Sequence, residues 1–198
     1  MLLNPHAYLT EIDCNSLSNV KEAVFIASCD YGNFVAISTT VGKIVILNSI
    51  GRIIGEYVSS DGSPFHQLAW KPGTTLLTCG NLNGLIASWT LDLNNVDIVD
   101  VVAESSSVAL YEHVHSGNEI SKILWNIYAS DGHQRLLTID VSGRCCIWRE
   151  DGITGLLTPL TTYENQQEVK AAAFLWPIAG ENMVRMSFFK LIYFISEF

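Results

Sequence analysis

Leu76-Leu-Thr-Cys-Gly-Asn-Leu-Asn-Gly84-Leu-Ile-Ala-Ser-Trp89 reads as an apolar strand, a polar turn closed by glycine, and a second strand closed by tryptophan. The same order returns at Leu136-Leu-Thr-Ile-Asp-Val-Ser-Gly143-Arg-Cys-Cys-Ile-Trp148. In both, glycine precedes tryptophan by five residues. A third copy, Phe34-Val-Ala-Ile-Ser-Thr-Thr-Val-Gly42-Lys-Ile-Val-Ile-Leu47, keeps the turn glycine and puts Leu47 where the tryptophan is expected. A glycine ending a short polar turn supplies the positive φ that joins two antiparallel strands.

The copies extend outward. Ahead of them stand Ala23–Ser28, Phe65-His-Gln-Leu-Ala-Trp70, Ile120-Ser-Lys-Ile-Leu-Trp125 and Val169-Lys-Ala-Ala-Ala-Phe-Leu-Trp176. Behind them, Arg52–Val58, either Ile98–Val102 or Val108–Val114, and Leu156–Tyr163 are candidate outer strands. The turn glycines recur after 42 and then 59 residues. The first interval lies within the roughly 40–45-residue period of four-stranded propeller blades. The excess in the second fits an insertion at 94–107 plus a longer turn at Ser130–Gln134. Near-continuous apolar runs such as Lys43–Leu47 fit inner strands covered on both faces by neighbouring sheets. A generic β-sandwich is the plainer alternative, and the recurring Gly-to-Trp register weighs against it.

The expected fold is therefore all-β: about three to four four-stranded antiparallel blades in an open arc. A lead-in covers 1–20 and the blades 21–182, at about 21–59, 64–114 and 119–163, with a fourth opening at 168. The repeat positions are Gly42, Gly84, Gly143, Trp70, Trp89, Trp125, Trp148 and Trp176. The five tryptophans read as blade-core residues. Such an arc is expected to leave an apolar face and unpaired edges at each end. Residues 183–198 form an atypical apolar tail without a turn signal. The expectation is a truncated gene model, a retained-intron end or a short isoform; the plainer alternative is the second strand of the fourth blade.

The strand–turn–Gly–strand–Trp pattern resembles WD40 repeats. In that family an Asp usually precedes the turn glycine; here Val41, Asn83 and Ser142 stand there. The family's buried Asp–His–Ser/Thr–Trp network is thus expected to be incomplete in every blade, with Asp140 or His115 as partial substitutes. A closer resemblance is to the N-terminal propellers of intraflagellar transport complex A subunits. It is carried by Ala36-Ile-Ser-Thr-Thr-Val-Gly42, Leu68-Ala-Trp-Lys-Pro72, Gly84…Trp89-Thr-Leu-Asp92 and Ala173-Phe-Leu-Trp-Pro-Ile178, over roughly residues 20–182. This resemblance implies a non-catalytic scaffold in retrograde ciliary transport and cilium assembly, partnered by other subunits of that complex. It also implies a location in the cytoplasm and at the cilium or its base. A generic WD40 adaptor, in vesicle-coat or ubiquitin-ligase complexes, is the alternative.

The chain of 198 residues is 48% hydrophobic and 16% charged, a globular composition. Its net charge of -9, with Lys and Arg scattered, argues against a nucleic-acid partner. Five cysteines, Cys14, Cys29, Cys79, Cys145 and Cys146, show no C-x-x-C spacing and read as free thiols in a reducing compartment. Cys145 and Cys146 should point to opposite faces of one strand. No signal peptide and no transmembrane span is expected.

Signals for chemistry are sparse. No phosphate loop, dinucleotide fingerprint, zincin or nucleophile-elbow motif occurs, so no catalytic residues, cofactor, metal or small-molecule substrate are expected. His113 and His115 are spaced to share a strand face and could offer two metal ligands, with Glu112 and Glu119 nearby. The plainer reading is a blade-connecting loop with one structural histidine. Asp13, Asp30, Asp61, Asp131 and Asp151 fall in turns, where a catalytic carboxylate pair lacks support. The 94–107 insertion is either a docking loop or a tolerated excursion. An enzyme carried on a propeller stays as a third reading and would need a convergent site in a pocket.

Overall fold

The computed structural model describes residues 22–32, 34–59, 61–91, 108–112, 114–115, 117–126, 134–164, 171–175, 182–187 and 192–197. The lead-in at 1–20, Cys14, His113, Trp176, the 94–107 insertion, the Ser130–Gln134 turn up to 133 and the alternative strand Ile98–Val102 lie outside them.

The described chain is made of antiparallel sheets in sequence order. Sheet one holds β1 (Ala23–Ser28), β2 (Val35–Thr39), β3 (Lys43–Leu47) and β4 (Ile53–Val58). Sheet two holds β5 (Phe65–Trp70), β6 (Leu76–Asn81), β7 (Ile86–Thr90) and β8 (Val108–Tyr111). Sheet three holds β9 (Ile120–Asn126), β10 (Arg135–Asp140), β11 (Cys145–Glu150) and β12 (Leu157–Tyr163). A three-stranded fourth sheet holds β13 (Ala171–Leu175), β14 (Asn182–Ser187) and β15 (Ile192–Glu197). Each strand pairs with the next in sequence, so each sheet is a meander. Strand β5 lies against β1 and β9, and β9 also meets β13. The first strand of each sheet is therefore the one nearest its neighbours, and the sheets fan out as an open arc of propeller blades.

The stretch set apart in the sequence as an apolar tail is paired. Strand β14 runs along β13 from Met183↔Leu175 to Ser187↔Ala171, and β15 pairs along β14. Of the two candidates for the outer strand of sheet two, the structure uses Val108–Tyr111, paired with β7 from Trp89↔Val108 to Ile86↔Tyr111.

Strand alternation sorts side chains between neighbouring sheets. In β3, Ile44 and Ile46 face sheet two, and Val45 and Leu47 face away; all four are fully buried. The core between sheets one and two joins Ala36, Ile44 and Ile46 to Phe65, Leu68, Trp70, Leu77 and Trp89. Between sheets two and three, Ile86 meets Ile120, Leu136, Cys146 and Trp148. A third cluster, Leu137, Ile139, Cys145 and Ile147, packs against Ala172 of β13. Cys145 and Cys146 thus serve cores on opposite sides of β11.

Two interior glycines make close sheet packing possible. A Cβ on Gly55 would lie 2.9 Å from the Trp89 ring, and one on Gly80 would lie 2.5 Å from Ile120 Cγ2. The side of sheet one facing away from sheet two departs from expectation. Ile37, Val45 and Leu47 there are buried with Val35 and Ile53 packed on them. The middle of this side is thus not the open apolar face that an arc was expected to leave, and Ile26 and Val58 are exposed apolar side chains on it.

Candidate functional site

Propeller blades offer their turns, so the turns are built up first. The β2–β3, β6–β7 and β10–β11 turns all end on a glycine of positive φ: Gly42 at 72°, Gly84 at 80° and Gly143 at 90°. Each turn is capped by the residue three positions earlier. Thr39 Oγ1 accepts from the Lys43 amide at 3.3 Å. Asn81 Oδ1 accepts from the amides of Asn83 at 2.9 Å and Leu85 at 2.8 Å. Asp140 Oδ1 accepts from the amides of Ser142 at 2.9 Å and Arg144 at 3.0 Å, and from the Ser142 hydroxyl at 2.6 Å. A short polar side chain, its oxygen a few bonds from the backbone, is the right length to close such a turn.

The third turn does more. Asp140 Oδ2 lies 3.0 Å from His115 Nδ1, His115 Nε2 lies 2.7 Å from Thr138 Oγ1, and Trp148 Nε1 donates to Thr138 Oγ1 at 2.7 Å. Every member is fully buried. With one proton on Nδ1 of the ring, each donor meets an acceptor: indole to hydroxyl, hydroxyl to imidazole, imidazole to carboxylate. The four-residue network expected to be incomplete in every blade is therefore closed in sheet three. It closes because Asp140, two residues ahead of the usual Asp position, reaches both its own turn and His115. Burial pushes the Asp140 carboxyl upward, but hydrogen bonds from His115, Ser142 and the Arg144 amide outweigh it and hold the pKa below its ordinary value.

Sheets one and two tie the same two segments together differently. In sheet two Cys79 stands where Thr138 stands and Asn81 stands where Asp140 stands, by their pairing with β7 and their distance from the turn glycine. Trp89 Nε1 and Asn81 Nδ2 are buried without a hydrogen-bond partner. An outer tie replaces the inner one: Asp61 accepts from Asn83 Nδ2 at 2.9 Å, from the Ser63 amide at 2.9 Å, and from the Ser59 hydroxyl. Those bonds, led by Ser59 and then Asn83, hold the Asp61 carboxyl below its ordinary pKa. In sheet one Thr40 Oγ1 donates to Glu22 Oε2 at 2.9 Å.

The described tryptophans of the repeat sit at sheet–sheet contacts. Trp70 Nε1 donates to Ala27 O of sheet one at 3.0 Å, Trp89 fills the space left by Gly55, and Trp148 packs edge-on against Tyr111 with ring centroids 5.4 Å apart. Trp125 is half-buried beneath the Lys71 ammonium, 5.7 Å from its centroid. Sequence reading missed Lys71, whose Nζ lies 2.5 Å from Glu150 Oε2 with both side chains buried. A lysine followed by proline gives no sign of burial in sequence.

For metal chemistry, His115 has both ring nitrogens engaged within the network. Glu119 instead meets His66 of β5, at 3.1 Å from Nδ1. Among the described residues no group of three or more His, Cys, Asp or Glu comes together. The four described cysteines are buried free thiols. Burial pushes Cys79 far up, Cys145 to about 12 and Cys146 to about 11, so they are core residues and not nucleophiles. Among the described residues no helix is long and apolar enough to cross a membrane.

What the arc displays is its turns. Tyr31 in the β1–β2 turn is 61% exposed, Ile50 in the β3–β4 turn 81%, and Ile153 in the β11–β12 turn 97%. These turns share one end of the sheets. The Gly42, Gly84 and Gly143 turns share the other, where Val41 and Val141 are exposed.

Four antiparallel meanders that meet through their first strands, with a closed His–Asp–Thr–Trp network, decide the fold. This is a partial WD40-type β-propeller. Solved structures of the same fold include Saccharomyces cerevisiae Sqt1, at 10% identity and a TM-score of 0.64 over 84% of this chain and 43% of that one. The β-propeller domain of Myceliophteria thermophila Cps50 (Swd1) is 12% identical, with a TM-score of 0.64 over 94% and 57%. The WD40 domain of SCAP from fission yeast is 19% identical, with a TM-score of 0.55 over 88% and 42%. The chain spans less than two thirds of each of these three. No family model matches the chain, and no curated protein matches it.

Proposed function

We propose that this propeller segment is a non-catalytic protein-interaction scaffold. The observation that carries this reading is the division of labour among its residues. Asp140, His115, Thr138 and Asp61 are spent on holding turns at one end of the sheets, while Tyr31, Ile50 and Ile153 stand exposed on the turns at the other end. Rigidly presented loops with apolar tips are suited to docking proteins.

Within that reading, the chain serves as part of an intraflagellar transport complex A subunit, acting in retrograde ciliary transport and cilium assembly, in the cytoplasm and at the ciliary base. Support comes from the sequence stretches Ala36–Gly42, Leu68–Pro72 and Gly84–Trp89, which fall on β2 and its turn, on β5 and its turn, and on β7. The alternative is a WD40 adaptor of vesicle coats or ubiquitin ligases.

Tagging the endogenous protein at Met1 and reading product mass with co-purifying proteins tests both levels. Recovery with other ciliary transport subunits, weakened by Ile50→Asp/Ile153→Asp, supports the scaffold and its place. Coat or ligase subunits in their stead would keep the scaffold and remove the ciliary role. Capture of no protein partner by either form would sink both.

A further inference from the structure

We infer that the buried Lys71–Glu150 pair is a docking key that fixes which blade packs on which. The two residues lie 79 positions apart, Lys71 just after β5 and Glu150 at the end of β11. The ammonium lies 2.5 Å from the carboxylate and 5.7 Å from the Trp125 centroid, so the charged end of Lys71, which follows a strand of sheet two, meets groups of sheet three.

The equivalent positions at the preceding interface show what is unusual here. The Lys71 amide bonds to Leu76 O where the chain enters β6, as the Cys29 amide bonds to Phe34 O ahead of β2. The Glu150 amide bonds to Gln134 O, and the Leu91 amide to Thr75 O. Glu150 and Leu91 each also follow the repeat tryptophan by two residues. Cys29 and Leu91 are thus the counterparts of Lys71 and Glu150. Both belong to the apolar core between sheets one and two. One interface carries an apolar pair where the next carries an ionic pair, in the same frame.

Repeated blades of similar shape can dock out of order, within a chain or between two copies. Here a wrong docking sets Lys71 against Leu91, or Cys29 against Glu150, and buries one charge without its partner. That loss is far larger than the net gain of the correct pair over an apolar one, because desolvation of both charges offsets much of their attraction. The pair therefore discriminates between dockings more than it stabilises one.

The test is unfolding and refolding of the full 198-residue chain across a range of concentrations, read by light scattering after size exclusion and by denaturation midpoint. Lys71→Cys/Glu150→Leu copies the first interface into the second. It should keep or raise the midpoint yet refold with at least about twice the wild-type share of misassembled species. Refolding as clean as wild type would overturn the inference. If this variant does not fold, the same size readout falls on Lys71→Glu and on Lys71→Glu/Glu150→Lys. The single variant should lose about a hundredfold or more in its folding equilibrium, as an unpaired buried charge does, and should misassemble. The swapped pair should restore the wild-type distribution, and failure to restore it would equally overturn the key.

Discussion

Cys79 of β6 occupies the place in sheet two that Thr138 of β10 occupies in sheet three, one strand row from the repeat tryptophan in each case. Thr138 accepts from Trp148 Nε1 at 2.7 Å, whereas Trp89 Nε1 has no partner. The substitution Cys79→Thr should give Trp89 its acceptor and raise stability by about 1 kcal/mol, the net worth of one buried hydrogen bond. Cys79→Val, of similar shape but without the hydroxyl, should give no such gain. Denaturant midpoints of the two variants decide it, and equal midpoints would remove the explanation.

Removing the hydroxyl where the network is closed should act in the opposite sense and more strongly. Thr138→Val leaves both the imidazole Nε2 of His115 and the indole N–H of Trp148 buried and unpaired. Each orphaned group costs about 1–3 kcal/mol, so a loss of roughly 2–6 kcal/mol is expected in chemical denaturation. A loss under about 1 kcal/mol would mean that the network is not a structural tie.

Two glycines of positive φ separate backbone conformation from close packing. A Cβ on Gly84 would lie 2.3 Å from the His115 carbonyl oxygen, while one on Gly62 would meet nothing within 4 Å. Gly62→Ala should cost about 1 kcal/mol, the strain of a left-handed backbone alone. Gly84→Ala should cost several times that and lower amide-exchange protection at the start of β9, because the backbone ahead of sheet three must move. Similar costs for the two would refute the packing argument.

Acid should loosen the turns through their carboxylates. Asp140 and Asp61 are both held below their ordinary pKa in the folded chain. Groups depressed by folding stabilise at pH above their unfolded value, about 3.9, and that stability is lost as pH falls through the folded value. Unfolding free energy should therefore fall below about pH 4. Asp140→Asn, already weakened at neutral pH, should show a shallower acid limb. An unchanged slope in that variant would detach Asp140 from the acid response.

The blade frame was legible because it depends on local pattern. Alternating apolar strands, a turn glycine and a tryptophan five residues later are visible in one stretch of chain, and strands such as Ala23–Ser28 and Phe65–Trp70 emerge with the bounds read from the residues. The network of sheet three was half legible. Asp140 and His115 stood out as substitutes, but their meeting depends on how the loop entering sheet three folds back on the β10–β11 turn, across 25 residues. The burial of Lys71 was invisible, because nothing near Pro72 tells that Glu150 will arrive beside it.

The sequence by itself determined the repeating unit: four short strands, tight glycine turns and apolar residues on both strand faces, since propensity and period act over a few residues. Tertiary structure alone decided which polar groups are satisfied. Trp89 and Trp148 share one sequence context, yet one indole is orphaned and the other bonded. The physical reason is range: strand and turn preferences are settled between neighbours in the chain, whereas a buried hydrogen bond or ion pair is settled by what a facing strand or another blade brings within about 3 Å.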